Sequence, residues 1–142
     1  MRETSVGFTG TGHQPLTPKQ REGLRRALQH WYDQGFETFH HGDCIYADEE
    51  AHNLAYEIGF NIEIHPPLND AKRAHMARKT NDPERVKLHL EKDYIPRNRD
   101  IVDATWVLVA CPKERFNVLR SGTWATVRYA RKLGRVLEII YP

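Results

Sequence analysis

The 142-residue chain holds only two cysteines, Cys44 and Cys111, and no Cys-x-x-Cys pair. That excludes a disulfide framework and a cysteine-built zinc module, and it points to a reducing compartment. No apolar run approaches the ~20 residues that cross a bilayer. Met1-Arg2-Glu3-Thr4 also lacks the apolar stretch of a signal peptide. A cytoplasmic protein with no membrane partner is therefore expected. An excess of one charge is missing too: 21 Lys and Arg stand against 19 Asp and Glu, a net charge of +2. This balance does not favour a nucleic-acid binder driven by bulk electrostatics, although a local basic patch stays open. There is no internal repeat and no low-complexity tract. Eight histidines are present but without metal-ligand spacing. His40 and His41 are neighbours in an expected strand and point to opposite faces, while His65, His75 and His89 are scattered, so no metal and no cofactor is expected.

What the chain does have is 39% hydrophobic and 10% aromatic residues, enough for one domain with a core. Strands and helices alternate along it. Ser5-Val6-Gly7-Phe8 reads as a strand that runs into the turn Thr9-Gly10-Thr11-Gly12-His13. Thr17 is a helix cap, with Pro18 at the first helical position and Gln20 three residues on, and Gly35 closes that helix. A strand over 36–41 ends at Gly42-Asp43. A helix with Ala47, Ala51, Leu54, Ala55 and Ile58 ends at Gly59, and a third strand over 60–64 stops at Pro66-Pro67. Order resumes with a short helix near 99–104, the apolar strand Trp106–Ala110, a helix closed by Gly134, and a last strand over 136–140. The pattern predicts a Rossmann-like three-layer α/β/α sandwich with a mainly parallel sheet of about five strands. It forms a single domain over 1–142, in which residues 66–96 are a charged insert or lid carrying at most a short helix near 70–79.

Ligands of such sheets bind beyond the carboxyl ends of the strands. The first candidate is Arg120-Ser121-Gly122-Thr123, between a buried strand and a helix start. Free backbone N–H groups and the positive end of the helix dipole favour an anion there, and Arg120 adds a bidentate donor for phosphate. Thr9, Gly10 and Thr11 form a second pocket wall. Gly42 and Asp43 follow the second strand, with Asp43 able to cap a helix or to meet a ribose hydroxyl. If the chain cleaves an N-glycosidic bond, a carboxylate must stabilise the oxocarbenium-like centre, and Asp48, Asp100 and Asp43 are the candidates. His13 or His41 could carry a proton near neutral pH. Cys44, beside His41 and near a helix start, could serve as a nucleophile. Tyr46 and Trp124 flank the pocket in sequence and could stack a base.

Four segments together, Gly7-Phe8-Thr9-Gly10, His41-Gly42-Asp43-Cys44-Ile45-Tyr46-Ala47-Asp48, Arg97-Asn98-Arg99-Asp100-Ile101-Val102 and Arg120-Ser121-Gly122-Thr123, resemble the SLOG superfamily in content and order. These are Rossmann-like domains that include the Lonely Guy phosphoribohydrolases and the DNA-processing protein A domain, and this chain looks most like the small bacterial and phage members. The resemblance implies a nucleotide or nucleotide-derived ligand and a homodimer or higher homo-oligomer. It also raises Arg97 to a phosphate contact and Asn98 to a sugar contact. The Lonely Guy pattern places a catalytic Glu three positions after its Gly-Thr; here that position is Thr126, and the preceding glycine pair is replaced by Leu119-Arg120. The reading is therefore a binding protein that senses or sequesters a nucleotide-like molecule. A nucleotide N-glycosidic hydrolase or transferase is the alternative. A single-stranded nucleic-acid binder is the third, without an aromatic-interleaved basic stripe to support it.

Overall fold

The computed structural model describes residues 1–142. In chain order the elements are β1 (Ser5–Gly10), α1 (Pro18–Asp33), β2 (Thr38–His41), α2 (Ala47–Ile58), β3 (Asn61–Ile64), α3 (Met76–Thr80), β4 (Val86–Leu88), α4 (Tyr94–Asp103), β5 (Val107–Cys111), α5 (Gly122–Lys132) and β6 (Val136–Ile139). Parallel strands covered on both faces must be apolar throughout. β5, Val-Leu-Val-Ala-Cys, obeys this and is buried at every residue. The α1 cap forms as its sequence requires. The Thr17 side chain accepts from Gln20 N–H, and the Gln20 side chain accepts from Thr17 N–H.

The six strands make one all-parallel sheet in the order β4-β3-β2-β1-β5-β6. One face is packed by α1 and α2 around Phe8, Leu24, Leu28, Phe39, Phe60 and Ile62. The Phe39 ring lies 6.0 Å from those of Phe8 and Phe60, and each such buried ring stabilises the fold by about 1.5–3 kcal/mol. The other face is packed by α4 and α5 through Val102, Leu108 and Ala130 and through Ala110, Trp124 and Val127. β1 pairs with β2 on one side and with β5 on the other. The chain builds outward from β1 to β4, then crosses back through α4 to start β5. The loops after β1 and β5 therefore diverge, and a crevice opens between them.

Two expectations change. The sheet has six strands rather than about five, because the charged segment 66–96 supplies β4, paired to β3 from Ile62↔Val86 to Ile64↔Leu88. Only Val86 of β4 is buried, and an edge strand this short and polar carries no apolar alternation to read. The helix expected near 99 starts at Tyr94 instead. Pro96 sits in its first turn, where the missing N–H costs nothing, so Arg97 and Asn98 lie on the helix rather than in the preceding loop.

Candidate functional site

A cleft of about 630 Å³ lies at this switch point, beyond the carboxyl ends of β1 and β5. Its floor is the β1 end, Phe8 to His13. The α5 start, Arg120 to Thr123, forms one wall, and Tyr94, Arg97, Asn98 and Ile101 of α4 form another. Gly42, Cys44, Asp48 and Lys72 close a third side. Two glycines make the approach close enough. A Cβ on Gly10 would lie 2.5 Å from the Ala47 Cβ, so only glycine lets α2 begin against β1. A Cβ on Gly42 would fall on the Arg97 guanidinium.

The cleft brings together Thr9, Gly10, Thr11, Gly42, Asp48, Arg97, Asn98, Arg120, Ser121, Gly122 and Thr123 from the sequence-derived set. It does not include Asp43 or Asp100. Asp43 is wholly buried elsewhere: its carboxylate pairs with Arg73 at 3.1 Å and accepts from Met76 N–H at 3.0 Å. It ties α3 to the β2 end, and it does not cap α2, whose N-cap is Tyr46. Asp100 is paired with Lys92 at 2.6 Å on the solvent side of α4. A helix presents i and i+3 on one side, and here Asn98 and Ile101 take the cleft side.

Ser121 caps α5, its Oγ accepting from Trp124 N–H at 3.2 Å. Gly122 and Thr123 are the first helical residues, so their N–H groups have no intrahelical acceptor and are free for an anion. Thr123 is mostly buried, and its hydroxyl has no hydrogen-bond partner within the chain. Arg97 is mostly committed. Its Nη1 donates to the Gly42 and His65 carbonyls and its Nε to Asn98 Oδ1 at 2.7 Å. Its work is to pin the ends of β2 and β3, and Asn98, whose Oδ1 it engages, lines the cleft.

Asp48, in the first turn of α2, is 5% exposed and its Oδ2 accepts from Cys44 N–H at 3.1 Å. Burial pushes its carboxyl up to about 6, against the pull of Arg97 and of the Cys44 and Gly42 N–H groups. It is the one sequence-chosen carboxylate that faces the cleft, and it is poised to hold or release a proton near neutral pH. Burial, then the Asp48 charge, pushes the Cys44 thiol up to about 11, so it is no thiolate nucleophile. His41 is not a proton carrier for the cleft. Its Nδ1 accepts from Asp43 N–H at 3.0 Å, its Nε2 meets His52 Nδ1 at 2.9 Å, and burial holds it neutral. His13 does line the cleft and meets Lys72 Nζ at 3.0 Å. Trp124 packs in the core against Tyr141 and Tyr46 lies outside the cleft, so neither stacks a ligand there. Tyr94 is the aromatic that lines it. Thr126 is buried within α5, donating to the Gly122 carbonyl at 2.8 Å, and no carboxylate takes its place.

Sequence reasoning did not single out Lys72, Lys113, Glu114 or Tyr94. Lys113 and Glu114 were within reach, since they follow the apolar run of β5 after Pro112 and precede the Arg120–Thr123 loop. Lys72 was not, because only the fold of the 66–96 segment carries it beside His13 of the β1 turn, with Ile45 N–H of the β2–α2 loop donating to the Lys72 carbonyl at 2.8 Å.

No protein-family model matches the chain, and no curated protein matches it by sequence. Solved structures do match it in fold. The molybdenum cofactor binding protein of the phototrophic bacterium Rippkaea orientalis aligns over 100% of this chain and 78% of its own, with a TM-score of 0.71 and 19% identity. The molybdenum cofactor carrier protein of Chlamydomonas reinhardtii aligns over 99% and 79%, with 0.63 and 18%. DNA processing protein A of Streptococcus pneumoniae aligns over 95% of this chain but 49% of its own, with 0.68 and 16%. At 16–19% identity the likeness is one of fold, a Rossmann-like α/β domain with a parallel sheet.

Proposed function

We propose that the cleft binds a phosphate-bearing nucleotide or nucleotide-derived small molecule, as a sensing or sequestering protein, with the phosphate on the α5 start. One observation carries this reading. Lys72, Lys113 and Arg120 converge on the cleft and none is paired with a carboxylate, beside the free N–H groups of Gly122 and Thr123. Unpaired cations around free N–H groups attract an anion strongly. That two structural neighbours are a molybdenum cofactor binding protein and a molybdenum cofactor carrier protein supports a small-molecule role. Oligomerisation belongs to the same reading, and sedimentation of the purified chain tests it. The test of binding is a thermal-shift titration with nucleoside mono- and diphosphates and pyrophosphate, with Arg120→Ala as control. A ligand of the native state raises the melting temperature with concentration. A shift in wild type that Arg120→Ala loses supports the reading, and no shift with any of them ends it.

A second reading, N-glycosidic cleavage, draws on Asp48 alone. A buried carboxyl titrating near 6 inside the cleft could protonate a leaving base or, ionised, stabilise a sugar cation. Chromatography of nucleoside monophosphates incubated with the protein decides it: free base must appear with wild type and not with Asp48→Asn.

A further inference from the structure

Glu114 is a cleft carboxylate that phosphate binding leaves unused. It follows β5, just past Pro112, whose carbonyl accepts from Gln20 Nε2 at 2.7 Å in the interior. The residue lines the cleft next to Lys113 and Val118. Its Oε1 is buried and has no hydrogen-bond partner. Buried carboxylate oxygens in folded proteins nearly always accept a hydrogen bond, so an orphan at the edge of a cleft asks for one from outside the chain.

A carboxylate only accepts, and it is matched best by two parallel N–H donors. Among the bases, guanine offers that edge, a ring lactam N–H beside an exocyclic amine. Adenine and cytosine offer one amine beside a ring-nitrogen lone pair, which a carboxylate repels. Hypoxanthine keeps the lactam N–H and lacks the amine. We infer that Glu114 sets the ligand specificity of this cleft by reading a lactam N–H flanked by an exocyclic amine, as a guanine nucleotide presents. This rests on the ligand-binding reading above. The phosphate takes the α5 start, and Glu114 selects the base.

Calorimetric titration of the full chain with GMP, IMP, AMP and pyrophosphate tests it. GMP is expected to bind at least about tenfold more tightly than IMP or AMP, the worth of one hydrogen bond to a charged group. Glu114→Gln is expected to bring GMP and IMP together while leaving pyrophosphate affinity unchanged. A phosphorylated pterin carries the same edge, and its affinity relative to GMP tells which source of that edge the site takes. Equal binding of GMP, IMP and AMP overturns the inference and leaves the phosphate reading standing, as does a GMP preference that survives Glu114→Gln. Failure of every nucleotide and of pyrophosphate to bind overturns both. Trp124 Nε1 is the other buried atom without a partner, and it is a donor. If Glu114 exists to meet it, Glu114→Gln and Trp124→Phe lower the melting temperature alike with no base preference in wild type, and the inference is overturned.

Discussion

The β2–β3 half of the sheet and the β1–β5 cleft are both rich in polar side chains, but those side chains are satisfied in opposite ways. In the first, His41 and His52 form a chain from Asp43 N–H to Thr80 Oγ1, with links of 3.0, 2.9 and 2.6 Å. Because His41 Nδ1 accepts from a backbone N–H, its proton sits on Nε2 and is given to His52 Nδ1; His52 then donates from Nε2 to Thr80. His65 stacks on His89 at 4.2 Å and meets His40 at 2.9 Å, while His89 Nε2 donates to Glu63 at 2.6 Å. In the cleft, Lys113, Arg120, Thr123 and Glu114 Oε1 have no partner in the chain. Polar groups that satisfy one another hold a fold together, and polar groups that converge without partners wait for a ligand. Eight histidines are the more conspicuous feature of the sequence, yet the side chains left without partners in the cleft are those of Lys113, Arg120, Thr123 and Glu114.

The comparison can be broken most severely on its structural side. His52→Ala takes a fully buried ring out of the core and strands His41 Nε2–H. It is expected to cost about 3 kcal/mol in urea unfolding, with pyrophosphate affinity of the folded fraction unchanged. Acid attacks the same region. Burial lowers His40 and His52 to about 4 and His65 to about 2, and it holds His41 well below its ordinary value. These rings contribute stability that is complete above the unfolded value of 6.5 and is lost as pH falls below it, because the unfolded chain binds protons the folded one refuses. Each ring removes up to ~1.4 kcal/mol per pH unit in that window. Asp48 has the opposite sign. Its raised value of about 6 favours the fold when protonated, a contribution lost as pH rises through 6. The histidines outnumber it, so urea midpoints are expected to fall from pH 7 to pH 5.

On the cleft side, Arg120→Ala is expected to weaken nucleotide or pyrophosphate binding about tenfold or more while changing stability by less than ~0.5 kcal/mol, since the side chain is exposed and unpaired. Asp48→Asn is expected to raise stability at pH 7.5 by about 1–3 kcal/mol, because it removes a buried charge, and the gain should shrink as pH falls from 6 toward 4. Stability lost at pH 7.5 instead would assign Asp48 to holding the Cys44 loop rather than to the ligand. Thr123→Val, nearly isosteric, is expected to weaken anion binding only a few-fold in calorimetry with an unchanged melting temperature.

Much of the site was legible because strand-end loops announce themselves. An apolar run ending in small and polar residues before a helix identified Thr9–Thr11 and Arg120–Thr123. The helix period alone did not say that Asn98 faces the cleft and Asp100 the solvent, because the start of α4 was hidden behind Pro96. Asp43 and Asp48 look equivalent in sequence, five residues apart around one helix start. Arg73, brought from the 66–96 segment, claims the first at 3.1 Å and leaves the second to the cleft. β4 was hidden because a three-residue edge strand with two exposed positions has no pattern to show.

The sequence by itself determined the parallel α/β architecture, since hydrophobic periodicity, caps and glycines act through near neighbours in the chain and survive any change of context. It also determined that Arg120–Thr123 would stand at a strand–helix junction, between β5 and α5. Tertiary structure alone decided which charges are spent within the fold and which are left free. Pairing depends on residues up to 120 positions apart, as where Gln20 Nε2 donates to the Ile140 carbonyl, and no local rule reports where such partners meet.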